Sequence, residues 1–345
     1  MQAPDERHPP DSDPGNPSFV TRVFIVGGVV ALALAAWTAV GVLLLTFGAV
    51  LLAIALRAFV ELIARRTGWS ERLAFAAALV IVALVVGLAG WGVGDRVGQQ
   101  VRELAQTLPD TVQRVRAWLE QNPLGETLLQ PLGSLGGEQA LARVGKVAGS
   151  TVDAAGNLVL VAFLAVYLAA DPALYRRGLV SLFVPRHRQR VDDAMGATGQ
   201  ALRGWLLGQA IAMVVVGVAT GVGLALLGVP LALTLALLAA LLEFVPFVGP
   251  IIAAVPAVLL AFTLGPQTAL HVVLLYAVIQ QLEGYVLQPL VQRRTAALPP
   301  ALTLASIVGF GLLFGVPGIV LGVPLAVAAM VLVQRLWIDR LQASS

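Results

Sequence analysis

Charge-free apolar stretches alternate with short charged clusters along this chain, and the stretches set the first expectations. Val23–Leu56 holds no charged residue over 34 positions, too many for one crossing of a hydrocarbon layer that takes about 20 residues. It predicts two helices, 22–40 and 42–63, turning near Gly41. Further helices are predicted at 73–94, 154–170, 204–227 and 267–288. Pro230–Leu264 and Pro299–Val333 are also apolar, but each is interrupted near its middle by proline and glycine. Both predict broken helices that fold back as hairpins.

Residues 95–153 read differently, with six bases and seven acids. Val97, Val101, Leu104 and Leu108 recur at helical spacing, as do Val112, Val115 and Leu119. That spacing predicts amphipathic helices packed on the membrane part or lying at its surface. A looser glycine-rich connection, LGETLLQPLGSLGGEQ, follows. The first 18 residues hold five prolines and four acids, a composition that predicts disorder and argues against a cleaved signal peptide.

Composition agrees with the pattern. Hydrophobic residues make up 58% and charged residues 12%, about half the charged share of a soluble domain, and mean hydropathy is +0.88. The fold class expected is therefore all-α: a polytopic membrane protein with about eight membrane segments, two of them re-entrant hairpins. Without cysteine there is no disulfide or thiolate site. No metal site and no cofactor are expected. No Walker A loop, G-x-S-x-G elbow or H-E-x-x-H stands in the chain, which disfavours ATP-driven pumping and the usual hydrolases. GVGD at Gly92–Asp95 matches an intramembrane aspartyl protease signature, yet no predicted span supplies the second aspartate. The chain is not expected to be an enzyme.

Of 22 basic residues 21 are arginine, and in a membrane protein they first report orientation rather than nucleic-acid binding. Arg65, Arg66 and Arg72 place the end of the second helix in the cytoplasm, and the N-terminus with it. Region 95–153 then lies outside, and the arginines between Arg176 and Arg190 return inside. Arg293, Arg294 and the C-terminal arginines also come inside if both interrupted segments are hairpins. The divisions expected are a tail 1–19, membrane helices 20–94, the outer region 95–153, a fourth helix with its basic loop 154–203, a core 204–335 and a tail 336–345.

The two interrupted segments align at an offset of 69. Both begin P-x-A-L-T-L-A, Gly249 falls on Gly318, and Pro256 lies one residue off Pro324. Under the orientation above they enter from opposite faces, which makes an inverted-topology repeat, an arrangement of secondary transporters. Broken helices in a bilayer persist only inside protein or beside a cavity. Pro246, Gly249, Pro250, Pro256, Gly315, Pro317, Gly318, Gly322 and Pro324 are expected to shape the breaks.

The stretches EFVPFVGPIIAAVPA, QQLEGYVLQPLVQ and LPPALTLASIVGFGLLFGVPGIVLGVPLAV resemble the autoinducer-2 exporter family of bacterial inner-membrane transporters. The resemblance extends loosely over 20–335. It implies a multi-pass inner-membrane protein of about eight spans that moves small solutes and assembles as a homo-oligomer. Some members are assigned autoinducer-2 export, others sodium- or lithium-proton antiport. The partners expected are membrane lipid and a small-molecule or monovalent-cation substrate, with no nucleic acid.

Glu243 and Glu283 are the leading candidates for the substrate or ion path, because carboxylates inside membrane segments usually line a wet path or pair with a partner. Each could instead sit at an interface. Gln280, Gln281 and Gln288 could hydrogen-bond a solute or tie helices together, and His271 could be a relay or an interfacial residue. Arg57 and Glu61, at i and i+4, are expected to form a structural ion pair. Three readings follow: a secondary transporter of a small polar solute, whether exporter or cation-proton antiporter; a non-transporting scaffold or permease regulator; and a passive pore.

Overall fold

A computed structural model of the chain describes residues 19–88, 94–121, 151–287 and 298–339. The tail 1–18, the connection 124–139, Gln288, Arg293 and Arg294, on which some of these expectations fall, lie outside the described residues. The described residues are helical, without strands. Five of the helices are long and apolar enough to cross a membrane, six if one sharply bent pair counts as a span.

The chain divides into two units, up to Thr46 and from Phe47 onward. Helix α1 runs Phe19–Thr67 without a break, so the turn expected at Gly41 does not occur. Glycine lowers helix propensity by only about 1 kcal/mol, and an apolar solvent that leaves backbone groups unpaired favours continuing the helix. Two of the expected segments thus fall in one helix.

In the second unit, α2 (Glu71–Leu88) packs Ala74 and Ala78 against Val60 of α1. It leaves Val80, Leu84, Val85 and Val86 exposed, as a helix wall open to lipid would. Helix α3 (Gly94–Glu120) carries both predicted apolar repeats in one piece. Helix α4 (Thr151–Ala170) ends where Pro172 forbids continuation. The Asp171 carboxylate accepts the Leu174 N–H (3.0 Å) and caps α5 (Pro172–Ser181). From Gly156 onward α4 meets α5 at 87°.

Helix α6 (Pro185–Leu226) is the axis of the unit. Its most extensive packing is against α7 (Ala232–Leu242). A Cβ added at Gly217 would lie 2.7 Å from that of Ala240, and one at Gly221 3.0 Å from that of Ala236. Small residues on both helices let the backbones approach, the usual basis of helix association in lipid. Helix α8 (Val248–Phe262) turns back along α7. Leu235, Ala239, Ala253 and Ala257 join Leu224 of α6 and Val272 of α9 (Pro266–Leu282) in one alanine-rich core. Helix α3 rests on this hairpin, where Thr234 donates to Gln100 Oε1.

Helix α10 (Pro300–Val333) is a hairpin in its own right. Gly315, with φ 66° and ψ −142°, interrupts it in a region that only glycine enters readily. The arms then pack tightly: a Cβ at Gly318 would collide with the Phe310 carbonyl oxygen, and one at Gly322 would sit 2.9 Å from that of Ser306. Gly249 stands in the same relation to the Leu242 carbonyl in the first hairpin. The aligned glycines thus do one job, admitting a backbone carbonyl of the opposite arm.

Not every expected breaker sits at a break. Pro246 lies in the first turn, and Gly249, Pro250, Pro317 and Gly318 open the returning arms. Pro256 and Pro324, however, are buried inside helical arms. Flanking helices tolerate interior proline there by local adjustment.

Contacts along α6 place both hairpins. Leu224 meets the outer part of the first hairpin, and Trp205 meets its turn, stacking edge-on against Phe244 at 5.4 Å. Leu202 packs on Val327 and Ala328 near the ends of the α10 arms. Trp205 also borders the cluster of Val245, Ile307 and Val323 that joins the two hairpins.

Candidate functional site

Three elements converge where α7 breaks. Glu243 caps α7, and its N–H still donates to the Ala239 carbonyl (2.9 Å). In a continuing helix its own carbonyl would accept the Phe247 N–H. Phe247 instead has φ 65°, and Val248 N–H turns to the Pro246 carbonyl (2.8 Å). The freed Glu243 carbonyl takes the side-chain amide of Gln209, buried on α6 one turn beyond Trp205.

The carboxyl of Glu243 is wholly enclosed, at 0% exposure, and neither oxygen accepts a hydrogen bond from an N–H or hydroxyl donor among the described residues. Its ionisable neighbour is Glu283, 8% exposed and within side-chain hydrogen-bonding reach, a bond that forms only when one of the two carboxyls carries a proton. Glu283 opens a π-helical turn, Glu283–Leu287, at the end of α9, and such turns gather at functional sites. Gln280 Nε2 donates to Glu283 Oε2 at 2.9 Å. Ala269, Val272, Tyr276, Ile279 and Glu283 form the buried stripe of α9 at three- and four-residue spacing, which carries Glu283 inward. Tyr276 Oη donates to the Ala253 carbonyl (3.4 Å), fixing α9 on α8.

The structure therefore joins Glu243, Glu283 and Gln280, and adds Gln209, which the sequence reading missed. A signal existed: Gln209 is the lone side-chain amide in the charge-free run Gly204–Leu242. His271 and Gln281 are exposed on other faces of α9 and do not join the group. Among the described residues no cluster of three or more histidine, cysteine or acidic groups could hold a metal ion.

Arg57 and Glu61 do not pair with each other. Arg57 binds Glu71 and donates to the Ala170 carbonyl (3.0 Å). Glu61 takes Arg203 at 2.7 Å and Arg65 at 4.0 Å. The i, i+4 geometry was available, but neighbouring helices offered closer partners. These contacts gather the end of α1, the start of α2, the end of α4 and Arg203 of α6 at one end of the unit.

An unpartnered ionised carboxylate in apolar surroundings is costly. Two acids face to face lower that cost by holding a proton or a small cation between them, so the pair can bind and release one positive charge.

Comparison with known proteins agrees with a membrane transporter. YueF of Bacillus subtilis, named as a candidate transport protein, is 25% identical over 71% of this chain and 72% of its own length. YdiK of Escherichia coli, named likewise, is 28% identical over 68% of this chain and 65% of its own. YrrI of Bacillus subtilis is 28% identical over 47% of this chain, which spans 46% of YrrI's length. The profile of the AI-2E family transporter matches residues 27–337, so that nearly the whole chain, both hairpins and the buried acids included, belongs to the AI-2E family of membrane transporters.

Proposed function

We propose that this chain is a secondary transporter that moves a small polar solute and couples that movement to a proton or monovalent cation held by Glu243 and Glu283. The observation that carries the reading is the enclosed carboxyl of Glu243, without a donor partner among the described residues, at the break of a helical hairpin and facing a second buried acid. A residue kept for packing alone would be apolar there. The repeated sequence and the matching glycine–carbonyl packing of the two hairpins support an inverted repeat. The first hairpin follows α6 from Leu224 to Trp205, and the second meets α6 at the level of Leu202 and Trp205. Hairpins from opposite faces that meet at mid-depth suit alternating access to a central site. Under this reading the arginine-rich end faces the cytoplasm of a bacterial inner membrane.

The buried acids favour ion coupling over a scaffold or a passive pore, and cation-proton antiport is the second reading they support. Purified protein in liposomes tests both. An imposed pH gradient should drive sodium or lithium flux, or uptake of a furanosyl-type signal, in wild type. Glu243→Gln keeps the shape and removes the exchangeable charge, so coupled flux should fall to the level of empty liposomes. Unchanged flux in Glu243→Gln removes the pair from the coupling role.

A further inference from the structure

We infer that α5 and the turn after it form a docking surface for anionic phospholipid headgroups. Pro172–Arg190 contains five arginines and no acid. The 87° bend at Asp171 turns α5 away from the direction of the α4 span, so that if α4 crosses the bilayer, α5 lies along its surface. Only Arg176 and Val180 of α5 are half-buried, where the helix rests on α6. Arg176 reaches Asp192 there, from Nε to Oδ1 at 2.5 Å and from Nη2 to the carbonyl at 2.8 Å.

The rest of the surface is open and mixed in the way an interfacial segment requires. Leu179, Leu182 and Phe183 are exposed, Leu182 at 80%. Arg177, Arg186 and Arg190 stand beside them in sequence, exposed and in no ion pair among the described residues, although Arg177 Nε donates to the Ala173 carbonyl (3.1 Å) and Arg186 Nε to His187 Nε2 (3.0 Å). Arg188 is committed otherwise, donating to the Phe183 and Ser181 carbonyls (both 3.1 Å) and holding the turn to the end of α5. The nearby acids are spoken for: Asp171 caps α5, Asp192 holds Arg176, and Asp193 accepts from Gln189 (3.2 Å). Charge complementarity therefore selects an anionic partner, and the exposed apolar residues select one that also offers hydrocarbon. A lipid headgroup layer supplies both, and fixed guanidinium groups suit its phosphates.

The test uses the full chain purified in detergent and offered equal amounts of phosphatidylglycerol and phosphatidylcholine, with retained lipid counted by native mass spectrometry. Wild type should retain phosphatidylglycerol several-fold over phosphatidylcholine. The triple variant Arg177→Gln, Arg186→Gln, Arg190→Gln should bring the ratio close to parity, and the matching lysine variant should keep most of the preference. Should the triple variant fail to fold, Arg190→Gln alone, at an exposed site, should still lower the ratio measurably. Equal retention of both lipids by wild type, or a preference untouched by the glutamine variants, overturns the inference. So does full displacement of phosphatidylglycerol by free glycerol phosphate, which would mean a soluble-anion site.

Discussion

Glu243, at the turn of the first hairpin, is wholly enclosed, whereas its counterpart 69 positions on in the second hairpin, Leu312, is 84% exposed. Both hairpins reverse through one residue of positive φ, Phe247 at 65° and Gly315 at 66°. Both admit an opposing carbonyl at an aligned glycine, Gly249 or Gly318. Yet one turn brings in a carboxyl, a buried amide and a strained aromatic residue, and the other carries apolar residues that stay exposed, Leu312, Leu313 and Val316. The shared features are what the backbone needs in order to reverse inside an apolar layer. The differences mark where the first hairpin departs from that need, and such departures gather at functional sites.

The comparison breaks most visibly at the aligned glycines. Gly249→Ala and Gly318→Ala should each lower stability by about 3 kcal/mol or more, since the added methyl meets backbone that cannot step aside. Thermal unfolding in detergent should report similar losses from both. Gly309→Ala, with no atom within 4 Å of the new methyl, should stay within about 0.5 kcal/mol of wild type. A large loss from only one aligned glycine would undo the structural equivalence.

Gln209→Leu sharpens the contrast from the other side, because only the first hairpin uses this amide to satisfy its broken end. Leaving the Glu243 carbonyl unpaired should cost about 2 kcal/mol, read as a lower unfolding temperature, and coupled flux should fall with it. Apart from the Gly309→Ala control, the smallest effect is expected from Gly315→Ala, where no neighbour is within 4 Å and only the φ of 66° resists. That strain amounts to about 1 kcal/mol, and unfolding should detect it without loss of assembly.

The two hairpins were legible because proline and glycine punctuate apolar runs, and because the offset of 69 repeats the punctuation. Glu283 was legible as a carboxylate in an apolar segment, but its inward turn was not, because the exposed Leu270, Val273, Leu274 and Val278 are as apolar as the buried stripe. Other features depended on choices among partners that one-dimensional patterns cannot rank. Arg57 satisfied the i, i+4 rule with Glu61 and still chose Glu71 and a carbonyl on α4. Gly41 looked like a turn because 34 charge-free residues exceed one span, yet helix continues through it. Gln209 stands out in sequence as a lone amide in an apolar run, but its partner, the Glu243 carbonyl, emerged only when α6 met the turn of the first hairpin.

Helix α6 also acts as a phase standard. Trp205 and Gln209 serve the turn of the first hairpin, while Gly217 and Gly221 serve α7, all on one uninterrupted screw. Each residue added to an α-helix rotates everything beyond it by about 100°. A single insertion between Gln209 and Gly217 would swing the glycine seam away from α7 while leaving Trp205 aimed at Phe244. The spacing of these four positions is thereby held to whole residues, and evolution can vary the outward faces of this helix far more freely than its count.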